Sequence, residues 1–301
     1  MKLIVGLALL FGTLSINAQD PATTPEPQGR PPTAAQVRAR IELSEAVRSY
    51  REGNLADARR HTEIAREYDP HNKIAPLFLA RIIHRQYQRG NYNPENTAKA
   101  FEAIAAYRQI LADDPQNEEA FKAIASLYGS VREDQLQRQW IQQRAVDATF
   151  SPEKRAEAYV ILASKDWHCS NEITDLPANK RTRTVKNTEI IEYQKPKDEA
   201  AFQRAKQCLT RGLEEIELAI ELTPEYLAAW SYKTSLLLEG SKLAEMEGLR
   251  QSKIDFERRA KSAQLLTGEL SKKQKQEPPE EIDATEPESP PATRPREEPQ
   301  P

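Results

Sequence analysis

The chain has 301 residues, a formal net charge of −3 and 38% apolar residues, below the roughly 45–50% of an ordinary globular chain. Its 10 glycines, against 30% charged residues, argue against an all-β fold and against a glycine-rich nucleotide enzyme. With charge so nearly balanced, no global basic field points to nucleic acid.

Met1-Lys2 is followed by LIVGLALLFGTL, twelve residues of which nine are apolar. A bilayer span needs about 20 apolar residues, so this stretch fits the hydrophobic region of a signal peptide instead. Small residues around Ala18 place the cut after that position, which leaves residues 1–18 as signal peptide. An uncleaved N-terminal anchor is the alternative. No cysteine follows to carry a lipid, and no later stretch is apolar enough to span a membrane. The expected destination is outside the cytoplasm: periplasmic, extracellular or at the cell surface.

Prolines concentrate at both ends, with five in residues 20–36 and eight in residues 272–301. Neither segment holds enough large apolar side chains to offset the entropy of ordering. Residues 19–36 are therefore expected to be a disordered linker and 272–301 a disordered Pro/Glu-rich tail, either a solvated spacer or a flexible docking segment. The folded part is expected over 37–271.

Within it, residues 39–72 show two helical stretches joined by Gly53-Asn54 and stopped by Asp69-Pro70. Ala46, Ala58 and Ala65 fall on helix faces where a small side chain lets two backbones approach. Pro70 ends the unit because a proline cannot continue a helix. Later segments repeat the pattern less regularly. Leu77 and Ala80 are followed by Ala103, Tyr107 and Ile110 after a long loop (QRGNYNPENT), and the pair stops at Asp114-Pro115. Phe121, Ile124, Ala125 and Tyr128 precede Trp140, Ile141 and Ala145. Ser151-Pro152-Glu153 reads as a helix start, with a serine cap, a first-turn proline and an acid at the positive helix end. Tyr159, Leu162 and Ala163 follow; Gly212, Ile216, Ala219 and Pro224 come only after an insertion, and Ala229-Trp230 opens a last pair running to about Leu270.

The set Ala46, Gly53, Ala58, Ala65 and Pro70 resembles the tetratricopeptide repeat (TPR) family, whose helix–turn–helix unit is about 34 residues long. The resemblance implies an all-α solenoid of five helical hairpins over about 35–270. A plain helical bundle is the alternative. Together with the leader, the chain resembles uncharacterised exported bacterial TPR proteins.

Residues 170–197 break the helical period and are read as an irregular insertion. Their β-branched runs suggest a small hairpin around Asn187. Lys180, Arg181, Arg183 and Lys186 form a basic run there, either a solvated loop or a site for an anionic partner. Cys169 and Cys208, the chain's two cysteines, flank the insertion. In an exported chain they are expected to form one disulfide across its base; two buried free thiols are the alternative.

Motifs for nucleotide, zinc-protease, dithiol or serine-hydrolase chemistry (GxGxxG, the Walker loop, HExxH, CxxC, GxSxG) are not found. His61, His71, His84 and His168 lack spacing suited to a metal, and the carboxylate pairs Glu118-Glu119 and Glu214-Glu215 look like solvated helix faces. The expectation is a non-enzyme with no cofactor and no metal. TPR solenoids bind peptide segments on the concave face lined by their first helices. The resemblance therefore places a binding groove at Tyr50, Arg51, Arg81, His84, Arg85, Lys122 and Glu157. Where the family's carboxylate clamp asks for Lys and Asn this chain has Leu43 and Val47, which argues against capture of a free peptide carboxylate; Arg51, Arg81 and Arg85 instead offer a basic, aromatic-edged groove for an acidic segment, with ordinary solvated helix surface as the alternative. The expected role is a protein-interaction scaffold for a protein or peptide partner. A structural accessory of the envelope, using the tail as spacer, is the alternative, and an enzyme hidden in the insertion a third.

Overall fold

The structure is a computed structural model that describes residues 31–185 and 188–276. The expected leader, most of the linker, the tail beyond Gln276 and the hairpin turn at Lys186-Asn187 lie outside the described residues. Among the described residues the chain is all-α apart from one β-hairpin. Helices α1 (Ala34–Glu52), α2 (Leu55–Tyr68), α3 (Ile74–Gln86), α4 (Pro94–Asp113), α5 (Glu118–Ser130), α6 (Asp134–Val146) and α7 (Pro152–Thr174) come first. Strands β1 (Lys180–Val185) and β2 (Thr188–Tyr193) follow, then α8 (Glu199–Leu222), α9 (Leu227–Met246) and α10 (Arg250–Gln276). The ten helices among the described residues match the number expected, and α1 with α2, α5 with α6, α7 with α8 and α9 with α10 pack as pairs.

Helix ends follow local chemistry. Thr33 and Gln36 close a capping box at α1, three residues earlier than the expected start of the folded part. Asn93, Asn117, Ser151 and Asp198 cap α4, α5, α7 and α8 through their side chains. Gly53 ends α1 at φ 85°, a left-handed conformation that glycine adopts without strain. Asp69, Asp114 and Thr223 each precede a proline and end α2, α4 and α8 with nearly one geometry, φ −136°, −134° and −144°. A residue before proline is driven out of the helical region by the pyrrolidine ring. In each case the amide three residues on, of Asn72, Asn117 or Tyr226, donates to the carbonyl of that residue. The turn that hands one hairpin to the next is thus the same device used three times.

The described residues form two compact units, divided between Ile82 and Ile83. In the first, α1 and α2 pack as a hairpin. Ala46, Ala58 and Ala65 are fully buried, and Ala46 and Ala58 share a core with Phe78 and Ile82. This is the close backbone approach that small residues permit. In the second unit each helix from α4 to α10 packs chiefly on its neighbours in sequence, the one-dimensional pattern of a repeat array. Its main core joins Ile141, Tyr159, Leu162, Phe202, Ile216 and Leu236 from α6 to α9. Gly212 lies where α8 meets α7 and α9; a β-carbon there would stand 2.7 Å from Leu236 Cδ2 and 3.2 Å from Asp166 Cβ.

Two boundaries differ from the expectation. Helix α7 runs through Ser170 to Thr174 because Ser170 and Thr174 are buried and their hydroxyls bond Glu239 of α9. The insertion therefore starts at Asp175, not at 170. Helix α10 continues to Gln276, carrying Leu270 in its buried face and joining Lys273 to Glu225 at 2.6 Å.

Candidate functional site

The seven expected groove residues divide between the units. Tyr50, Arg51 and Arg81 belong to the first. Tyr50 packs its ring on Phe78 at 5.4 Å and so serves the hairpin core, while Arg51 and Arg81 are exposed. In the second unit, His84 and Arg85 end α3. His84 meets the Tyr107 ring edge-on at 5.8 Å, and its Nδ1 lies 3.4 Å from the Tyr107 hydroxyl. Burial lowers the pKa of this imidazole. Arg85 is exposed.

Lys122 of α5 and Glu157 of α7 come together, Nζ to Oε1 2.9 Å, and this bond raises the lysine pKa. Tyr226, the capping residue of α9, lies in the field of both: burial raises its pKa first, and the negative charge of Glu157 adds to that. Lys122, Glu157 and Tyr226 stand at the starts of α5, α7 and α9. Three successive hairpins therefore present one polar row from their first helices. Lys122 keeps 54% of its side chain exposed.

The carboxylate pairs need correction. Glu118 is not a plain solvated side chain. It takes hydrogen bonds from Arg144 and from Lys154, the latter at 3.0 Å. Burial works to raise its pKa, but those two cations outweigh it and hold Glu118 low. Arg144 itself is buried and lies between the rings of Phe121 at 4.0 Å and Phe150 at 4.9 Å, a stacked placement suited to a guanidinium.

Glu215 departs further from the expectation. It is buried, and so is Asp166 of α7 beside it. Arg138 of α6 bonds Glu215 and lies 3.0 Å from Asp166 Oδ2; Arg211 of α8 donates to Asp166 Oδ1 at 2.8 Å. Burial, with Asp166 as a second contribution and Arg138 opposing, pushes the Glu215 carboxyl up to about 8. A protonated Glu215 can donate to Asp166, which two guanidiniums then neutralise. The sequence offered no signal for this cluster, because Arg138 and Glu215 are 77 residues apart.

The stability consequence has a definite sign. Unfolded Glu215 titrates near the ordinary 4.5, native Glu215 near 8. Between those values the native state holds a proton that the unfolded state has lost. Stability from this group is present below 4.5 and falls as pH rises toward 8. Glu215→Gln, which imitates the protonated form, is expected to melt about 2 °C or more above the parent at pH 9 and to match it at pH 5. Melting curves of both proteins across that range check this; parallel curves would contradict it.

The expected disulfide is present. Cys169 of α7 and Cys208 of α8 are joined with their Cα atoms 6.1 Å apart. The hairpin suggested around Asn187 is also present, with β1 antiparallel to β2 and Lys180 paired with Tyr193. Part of its basic run is internally paired. Lys180 reaches Asp175 at 2.8 Å and Arg183 reaches Glu192 at 3.1 Å. Trp167 meets the exposed His168 edge-on, ring centroids 4.7 Å apart. Among the described residues no helix is long and apolar enough to cross a membrane, and no group of His, Cys, Asp and Glu is arranged to hold a metal ion.

No family model matches this chain, and no curated protein does. Solved structures do. The chain is similar to MamA from Desulfovibrio magneticus, with 14% identity over 79% of this chain and 97% of that one, at a TM-score of 0.38. It is similar to pilF of Pseudomonas aeruginosa, with 16% identity over 80% and 100% of the two chains and a TM-score of 0.31. It is also similar to a tetratricopeptide repeat protein from Parabacteroides merdae, with 15% identity over 78% and 98% and a TM-score of 0.33.

Proposed function

We propose that the protein is an exported, non-catalytic interaction scaffold that holds an acidic peptide or protein segment along the first-helix face of its second unit. Export rests on the first 18 residues and agrees with the disulfide. The observation that carries the binding reading is the row from α5 to α9. Lys122, Glu157 and Tyr226 are aligned across three hairpins, and His84 and Arg85 add further polar groups within the same unit. Arg51 and Arg81 are exposed in the first unit, while Tyr50 is taken up by its core. The buried ionisable groups do not compete for a catalytic role: Asp166, Glu215 and Glu239 are each held by cations or hydroxyls of adjacent helices.

The test is capture of partners on the oxidised chain from crosslinked native envelope. A near-stoichiometric protein that is lost with Arg85→Glu plus Lys122→Glu, and retained when residues 277–301 are deleted, supports the scaffold. Retention with the double variant and loss with the deletion would transfer the function to the tail.

A further inference from the structure

We propose that the hairpin between α7 and α8 is a second docking surface, at which β1 receives an extended acidic segment as an added strand. A lone two-stranded hairpin is marginal in water, yet this one is anchored at every point of its base. The disulfide closes α7 to α8 below it. Asn179 is buried; its side chain donates to the Ile173 carbonyl at 2.7 Å, and its carbonyl accepts from the Gln194 amide at 2.8 Å. On the β2 side, the Tyr193 amide donates to Glu245 of α9 at 3.1 Å, and Lys242 lies over the Tyr193 ring at 5.3 Å.

The β1 side is different. Arg181 to Thr184 are all exposed, and β1 is an edge of a sheet of two strands. Such an edge offers a row of backbone donors and acceptors to any extended chain. Ile190 and Ile191 alternate across β2 and are 40% and 54% exposed, so neither face of the hairpin is covered.

Charge selects the occupant. Strand β1 reads Lys-Arg-Thr-Arg-Thr-Val, three cations and no acid. Arg181 and Arg183 share one face, with Thr182 and Thr184 on the other. A second copy of β1 would set cation against cation across the new ladder, which is unfavourable. An incoming strand with acids at alternate positions sets each against an arginine and leaves β-branched residues beside the threonines. The Arg183 bond to Glu192 is exposed enough to exchange for a bond to such a strand, since pairs of this kind contribute about 1 kcal/mol or less.

The experiment uses the full, oxidised chain and a terminally blocked, fluorescent peptide alternating Glu with Val, read by anisotropy. Two further versions are N-methylated on one or the other set of alternate residues. The proposal expects saturable binding, a loss of at least about tenfold with Arg181→Thr plus Arg183→Thr, a comparable loss for one N-methylated version only, and no effect of Arg85→Glu plus Lys122→Glu. The threonine variant keeps strand-forming residues, and circular dichroism with an intact disulfide verifies its fold. Equal binding of both N-methylated versions would reduce the surface to charge attraction. No binding, or self-association in sedimentation in place of peptide binding, would overturn the proposal.

Discussion

Replacing Arg138 with Met is expected to destabilise the second unit by about 3 kcal/mol at pH 9 and by about 1 kcal/mol less at pH 6. The substitution keeps the aliphatic stem and removes the charge. What remains is Asp166 with 3% and Glu215 with 10% of their side chains exposed, side by side. Arg211 still neutralises Asp166. At pH 6 Glu215 holds its proton in parent and variant alike, and the loss is that of the guanidinium's bonds to two buried carboxyls. Arg138 is the charge that opposes burial at Glu215, so without it the carboxyl titrates higher still. At pH 9 the parent has lost this proton and the variant keeps it, which adds about 1 kcal/mol to the loss. Arg138→Met combined with Glu215→Met removes the titrating carboxyl and is expected to abolish this pH dependence. Urea unfolding of the three proteins at both pH values decides it. An equal loss at the two values would show that Arg138 acts through packing alone.

Opening the disulfide has an effect of similar size by a different route. The bridge spans a sequence separation of 39 residues. In the chain-entropy description, releasing such a loop in the unfolded state removes about 4 kcal/mol of stability. Cys169→Ser with Cys208→Ser should therefore lower the urea midpoint markedly. Cys208 is buried against Arg211, whose Nη2 lies 3.4 Å from its sulfur, so the serine also alters a packed contact. The hairpin should respond before the helices do. Its base loses a staple, whereas α7 and α8 keep Phe202, Leu209 and Ile216 between them and their neighbours. Hydrogen exchange comparing residues 180–193 with α8 measures this order. Uniform acceleration across both segments would contradict it.

Much of the fold was legible because its signals are local. A serine before a proline marks the start of α7, and a proline two residues beyond the last helical residue marks the close of α2, α4 and α8. Small residues at Ala46, Ala58 and Ala65 marked a close helix pair for the same reason that they bury completely. The two cysteines indicated their own pairing because there was no third. Charged residues were misread where their meaning depends on distant partners. Glu215 sits beside Glu214 in sequence like any solvated pair, and only the return of α8 onto α6 and α7 places it against Arg138 and Asp166. Glu239 carried no expectation, and its carboxylate faces Ser170, Thr174 and Lys242. The extent of α7 was missed for that same reason, since the residues that prolong it are fixed by α9. Of the expected groove residues, the meeting of Lys122 with Glu157 follows from stacking two hairpins in register. The use of Tyr50 and His84 as packing rings does not show in their spacing.

On the proposed function a partner lies along the first helices of the second unit. Site-specific photocrosslinking probes that placement, with one photoreactive residue at Lys122 on α5 and another at Gln139 on α6. A crosslinked partner is expected from position 122 and none from position 139. Crosslinking from 139 alone would place the partner on the second-helix face and contradict it.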